Sequence, residues 1–287
     1  VMTFAELDFA SILLRSAVYV ATIAAAGGVL FYATVRGAAE VGGAIRRQVW
    51  FGVLLLLVVE PLRYLQFQLA IGGGDWEVAF DPSMRWLAFE TPIGQAALVR
   101  IAAALTILVA GLRLWPVRLV AAAAMVASFA LEGHTASQEG DGWLPAALIV
   151  VHLAVVHWWL GALYPLRAAT LVVGDSNIRD LVERFGKFAL VGVAALTVAG
   201  AALIAVLAGW QFDPTRNHEL ALGAKLVIFA VILATAAINK LRWTPMLATL
   251  PDAGRAGLRA SLNREIAFCL LILIATAVMT SFPPGSA

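Results

Sequence analysis

The sequence predicts an all-α integral membrane protein, a bundle of about eight transmembrane helices with both termini periplasmic. Three observations predict it. Of 287 residues, 62% are hydrophobic and only 13% charged, whereas a soluble domain is about half apolar and a quarter charged. Eight apolar runs are each long enough to approach or cross a hydrocarbon core of about 30 Å, which takes roughly 20 helical residues. Basic residues gather in alternate connections between those runs.

The runs are 10–33, 48–70, 94–112, 117–132, 144–165, 188–210, 220–240 and 264–282. Stretches such as VYVATIAAAGGVLF, FGVLLLLVV and ALVGVAALTVAGAALIAVLA carry no strand-like alternation and no lumen-facing polar period. That argues against a β-barrel, and backbone satisfaction in lipid then requires helices. The fourth run is the shortest and ends in Glu132-Gly133-His134. Glu6 and Asp8 stand where a signal peptide would be basic, so the long first run reads as a retained span.

One domain is expected over 1–287. The outer connection 71–93 holds Gly72-Gly73-Gly74, Asp81-Pro82 and several aromatics, and reads as an ordered cap or short interfacial helix. The inner segments 166–187 and 243–263 each suit a short amphipathic helix. No internal repeat relates the first four runs to the last four.

Orientation follows from the basic residues. The connections after runs 1, 3, 5 and 7, with their flanks, hold fourteen Lys and Arg against six acids. The opposite side holds only Arg85 and Arg216, against eleven acids. Both termini therefore face outward, the periplasm in a bacterial cell. The acidic outer face attracts cations, and the basic inner face suits anionic membrane lipid.

Several polar residues fall within the apolar runs: Arg15, Glu60, Arg63, Arg100, His152, His157 and Lys225. A charge at the bilayer centre costs at least about 2.5–3.5 kcal/mol, so each needs a partner or a purpose. Arg15, Arg63, Arg100 and Lys225 lie in the outer third to half. Glu60 and Arg63, three apart, share a helix face and can pair, with Pro61 between them as a source of a kink. Two readings stay open: snorkelling with ion pairs that lock the bundle, or a polar cavity opening outward.

The four histidines share that geography. His134 and His218 lie in outer connections, while His152 and His157 lie within the fifth run. Imidazole is a metal ligand, a haem ligand or a proton relay, and a hydrogen-bonded structural role is the alternative. Five residues place His152 and His157 roughly 140° and about 7.5 Å apart on a helix, so they cannot hold one ion together. His152 is nearer the outer side, on the face of Val156 and Trp159; His157 shares a face with Gly161 and Tyr164. Met84 and Met279 on the outer side add thioethers that suit Cu(I), although methionine is more often a core filler. Cys269 alone excludes an intrachain disulfide and reads as a small hydrophobe. There is no GxxxxGK[ST], CxxC, HExxH or GxGxxG, which argues against nucleotide-driven or zinc-protease chemistry. Nucleic acid is not an expected partner, since the cations lie at the membrane face.

EGHTAS at 132–137, followed by VHLAVVHWWLGALYPL at 151–166, resembles the copper-resistance protein D (CopD) family. The resemblance continues through 184–203, 222–242 and 258–284, with Gly133-His134, His152, Trp159, Gly161, Lys225, Asn239 and Glu265 in place. It covers about 130–284; the first four runs match only in number and topology. Ala162 stands where a second glycine is usual, and His157 is an addition to the pattern. The resemblance implies a multi-pass protein of the bacterial inner membrane that moves copper from periplasm to cytoplasm, a transporter or metal-binding protein rather than an enzyme.

Copper, as Cu(I) or Cu(II), is then captured by His134 or His218 and received by His152. His157, Met84 and Met279 are further candidate ligands, and a periplasmic copper-binding protein is a possible donor. Four cations at the same depth would repel copper unless Glu60 and loop acids offset them. That conflict motivates an alternative, a membrane oxidoreductase using haem b or quinone, with outer arginines on haem propionates. A third reading is a structural partner of periplasmic copper proteins.

Overall fold

The computed structural model describes residues 8–110, 114–132, 143–208 and 216–282, and every element among them is helical. Helix α1 (Phe9–Thr34) starts at an Asp8 carboxylate that accepts the Ala10 N–H at 3.0 Å, and it contains a π turn at Ile23–Gly27. Helix α2 (Gly42–Ile71) continues through Pro61. The outer connection folds as two short helices, α3 (Trp76–Phe80) and α4 (Pro82–Glu90). Helix α5 (Pro92–Val109) has Thr91 as its cap, and α6 (Trp115–Ala127) tightens into a 3-10 turn at Ser128–Leu131.

The remaining helices are α7 (Trp143–Val172), α8 (Asp175–Ala208) and α9 (Asn217–Ile238). A π turn at Asn239–Trp243 leads from α9 into α10 (Thr244–Thr249), and α11 (Pro251–Met279) completes the described chain. Seven stretches are long and apolar enough to cross a membrane; Trp115–Leu131 is apolar but shorter. Over the described residues, the eight apolar runs coincide with these stretches to within a few residues at their ends.

The expected separate amphipathic helix at 166–187 is not what forms, and 243–263 is divided between the short α10 and the start of α11. Helix α7 runs on to Val172, α8 begins at Asp175, and α11 begins at Pro251, so long helices project beyond the apolar runs. Local ion pairs sustain the projection of α8: Arg179 Nε to Glu183 Oε1 at 2.7 Å and Arg184 to Asp180 at 3.7 Å, both i,i+4. Arg255 of α11 locks the corner. Its guanidinium donates to the Val173 carbonyl at 2.7 Å and the Thr170 carbonyl at 3.3 Å, and Nε meets Asp175 at 2.9 Å. One side chain thus satisfies the last carbonyls of α7 and pairs with the first residue of α8.

Lipid tails are as apolar as leucine, so helices in a bilayer gain from close packing more than from hydrophobic burial. Here α1 is wedged between α2 and α7 with backbones touching. A methyl group on Gly52 would overlap the Ala25 nitrogen and the Ala21 carbonyl, and one on Gly27 would overlap the His157 carbonyl oxygen. One on Gly161 would lie 2.5 Å from Gly27. A continuous core runs from Val18 on α1 to Cys269 on α11. Outside it, Leu13, Val109, Val120, Val191, Val198 and Val227 are largely exposed. An apolar exterior of that extent belongs against lipid.

In the outer connection, Asp81 caps α4. It accepts from the Ser83 hydroxyl, from the Ser83 N–H at 2.8 Å and from the Met84 N–H at 3.4 Å. Those bonds, the Ser83 hydroxyl foremost, hold the Asp81 carboxyl below its ordinary value of 3.8. A depressed carboxyl stabilises the fold above its unfolded value and loses that contribution as pH falls through the folded one. The Ser83 and Met84 amide NMR signals are therefore expected to stay constant from neutral pH past 3.8 and to move only below it. Movement centred at or above the ordinary value would show that the cap is not formed.

Candidate functional site: a buried charge network and two divergent histidines

Four charged residues meet inside the bundle near the end where α5 begins and α6 finishes. Glu60 and Arg63 come from α2, Arg100 from α5, and Glu132 from the end of α6. Helix α6 with its 3-10 turn is about 27 Å long at ordinary helical rises, short of the hydrocarbon thickness. Its end therefore lies at the level of Arg100, two turns inside α5, and Glu132 is brought to the arginines.

Arg100 Nη1 lies 3.0 Å from Glu60 Oε1 and 2.8 Å from Glu132 Oε1. Arg63 reaches both acids as well, Glu60 at 3.2 Å and Glu132 at 2.9 Å in a two-pronged contact. Arg100 and Glu60 are fully buried. Arg100 Nε donates to Ser128 Oγ at 3.0 Å, and its guanidinium lies 4.0 Å above the Phe129 ring. Two guanidiniums and two carboxylates cancel, which lets the group exist at that depth. Among the described residues, Arg100 Nη2 and Glu60 Oε2 have no hydrogen-bond partner.

The network touches one histidine through an aromatic ring. Phe129 lies 5.8 Å from the His157 ring and 5.8 Å from Tyr19. His157 Nε2 is 3.1 Å from Thr22 Oγ1, and Nδ1 is 2.7 Å from the Leu153 carbonyl oxygen. Both nitrogens of this buried ring are thus occupied. Just beyond, Gln48 of α2 donates to the Gly161 carbonyl of α7 at 2.9 Å and to the Ala24 carbonyl of the π turn at 3.3 Å. The π turn thus sits at the three-helix crossing, a type of irregularity frequent at functional sites.

His152 looks elsewhere. Its ring lies against Gly200 of α8, where a methyl group would be 3.7 Å from Nδ1, with the Leu196 backbone beside it; among the described residues that buried Nδ1 has no hydrogen-bond partner within ordinary distance. Lys225 of α9 acts on it electrostatically. His218, in the first turn of α9, likewise has a buried, unpartnered Nδ1. It precedes Lys225 by seven residues, two turns up the same helix face.

The other candidates are dispersed. Arg15 bonds Thr280 Oγ1 at 2.9 Å and Ser281 Oγ at 3.4 Å, tying α1 to the end of α11. Glu265 is buried in α11 and accepts from Asn239 Nδ2 at 2.8 Å, with Trp159 beside it. Met84 and Met279 are half-buried on α4 and at the end of α11. His134 lies outside the described residues. Among the described residues, no three His, Cys, Asp or Glu side chains gather as a preformed metal cage.

Sequence reasoning passed over Ser128, Phe129, Thr22 and Gln48. The i, i+1 and i+4 positions of Ser128, Phe129 and Glu132 carried a local signal, one polar and aromatic helix end. The partners on α1 and α2 carried none.

Fold and site define a multi-pass helical membrane protein with a buried, charge-balanced ion-pair network. The copper resistance protein D-like N-terminal domain model matches residues 6–145, and the copper resistance protein D model matches residues 179–279. The chain belongs to the copper resistance protein D family, which ties it to copper resistance and copper handling. The kinship extends into the amino-terminal half, where sequence reading found only number and topology. Residues 146–178, with His152 and His157, lie between the matched ranges. No curated protein and no solved structure matches the chain.

Proposed function

We propose that the protein carries copper across the bacterial inner membrane from periplasm to cytoplasm, through eight helices with both ends of the chain outside. The observation that supports this most is the pairing of Arg63 and Arg100 with Glu60 and Glu132. Four outer cations stood against a copper path, and this network neutralises two of them. Arg15 is held at the outer end by two hydroxyls. Only Lys225 is left beside a proposed ligand, His152. A cation there keeps the ion from binding too firmly, and transport needs a site that releases as well as captures.

Copper, as cargo, meets His218 first, with His134 as a second outer donor, and is passed to His152. The unpartnered Nδ1 atoms of His218 and His152 favour this order, since a buried imidazole nitrogen left unbonded is open to a ligand bond. In this orientation Met84 and Met279 come to the outer side, where their thioethers suit a Cu(I) form of the ion. The acidic outer face suits a periplasmic copper-binding protein as donor.

Haem b is less well supported. The arginines that would anchor its propionates are committed to Glu60 and Glu132, and among the described residues it is Leu196, Gly200 and Lys225 that lie around His152.

The test is elemental analysis of purified protein after copper loading and desalting, with His152→Ala beside the parent. About one copper per chain, lost in His152→Ala with the melting temperature unchanged, is the expected result. Unchanged copper in the variant removes His152 from the path, and stoichiometric iron with a haem band overturns the reading.

A further inference from the structure

At the basic end of the bundle, α2, α5 and α6 leave a groove of about 140 Å³ lined by Arg46, Val49, Trp50, Val53, Ile107, Leu108 and Arg118. Arg46 and Arg118 stand in the first two turns of their helices, while Ile107 and Leu108 stand in the last turn of α5. The lining is therefore basic at the helix ends and apolar inward. From Arg46 to Val53 along α2 is about 10 Å. That profile follows a phospholipid, with its phosphate at the interface and its acyl chain below.

The arginines are free to receive a phosphate. Neither Arg46 nor Arg118 forms an ion pair with a carboxylate among the described residues. Among the described residues, the buried Arg118 Nε has no hydrogen-bond partner. Two other arginines at this end are partnered within the chain: Arg255 takes Asp175 and two carbonyls, and Arg179 takes Glu183. Trp50, 46% exposed, forms part of the rim, where an amphipathic ring suits the headgroup level. Tyr32 of α1 stands close enough to Arg118 to act on it electrostatically and offers a hydroxyl to the same headgroup.

We propose that this groove is a specific site for one anionic phospholipid. Arg46 and Arg118 hold its phosphate, and one acyl chain lies over Val53, Ile107 and Leu108. A guanidinium fork matches phosphate oxygens. An anionic glycerol headgroup avoids the repulsion that the ammonium of a zwitterionic lipid would meet. The lipid fills the seam between α2 and α5, which carry three of the four network charges, and so braces the charge network from the other side of the bilayer.

The test is native mass spectrometry of the full chain in detergent, titrated with phosphatidylglycerol or phosphatidylcholine. One tightly retained phosphatidylglycerol is expected, with phosphatidylcholine much weaker. The double variant Arg46→Gln with Arg118→Gln should bind it roughly tenfold or more weakly, the order expected for removing two basic contacts to an anionic lipid. Removing two other exposed charges of the same end, Arg36→Gln with Arg47→Gln, should leave it within about twofold, since surface attraction alone is diffuse and screened. Equal loss in both double variants, no loss in the first, or equal retention of phosphatidylcholine overturns the site. Full displacement by millimolar inorganic phosphate would show that the groove reads a free anion and not a lipid.

Discussion

Replacing Arg100 with leucine is expected to cost about 3–5 kcal/mol, the range for removing one partner of a buried ion pair. The variant leaves Glu60 and Glu132 facing Arg63 alone, so one negative charge stays buried without compensation, and Ser128 loses its donor. Its melting temperature in detergent should fall sharply, or the protein should fail to elute as a single species. Combining Glu60→Gln with Arg100→Gln restores the balance of charge. The pair should be less damaging than the sum of its single changes by about 1 kcal/mol or more, because contacting residues of one network do not add. Additive losses would mean that the four charges are not one unit.

The second large effect is expected at the helix crossing. Gly27→Ala adds a methyl group that overlaps the His157 carbonyl oxygen, a backbone atom that cannot rotate away. Helices α1 and α7 must separate, at a cost of about 3 kcal/mol, the upper end for overpacking. The Gln48 bridge to Ala24 and Gly161 should break with it. Gly43→Ala is the matched control, since nothing lies within 4 Å of the added atom there, and it should be neutral or slightly stabilising. Equal melting temperatures for the two variants would show that α1 and α7 do not cross this closely.

The apolar runs were legible because hydrophobicity over a bilayer thickness is a local property, and each run is found on a helix. Helix ends were less so. The segments 166–187 and 243–263 read as separate pieces because their charges interrupt the apolar pattern. Arg255 and the pairs along α8 turn those charges into supports for longer helices.

The separation of His152 and His157 follows from 3.6 residues per turn alone. Which of them meets the charge network depends on how α7 is rotated against α1 and α6, and no spacing within α7 encodes that. Glu132 read only as the end of the fourth run, although like Glu60 it reaches both Arg63 and Arg100, because its depth is set by how short α6 is. The family pattern was carried by a few residues near and beyond position 130. The amino-terminal half matches the family as well, over residues 6–145, without a short motif that one sequence singles out.

The charge network also has an order in time. A membrane protein is threaded into the bilayer from its amino end, so α2 arrives before α5 and α6 are made. Glu60 and Arg63 face each other within one helix and can enter as a self-neutralised pair. Arg100 then finds an acid already waiting in the bilayer, and Glu132 arrives last to complete the set. Had the same four charges been dealt singly to four helices, each would have crossed the insertion machinery alone. Their placement along the chain gives biogenesis a sequence of neutral, or nearly neutral, steps.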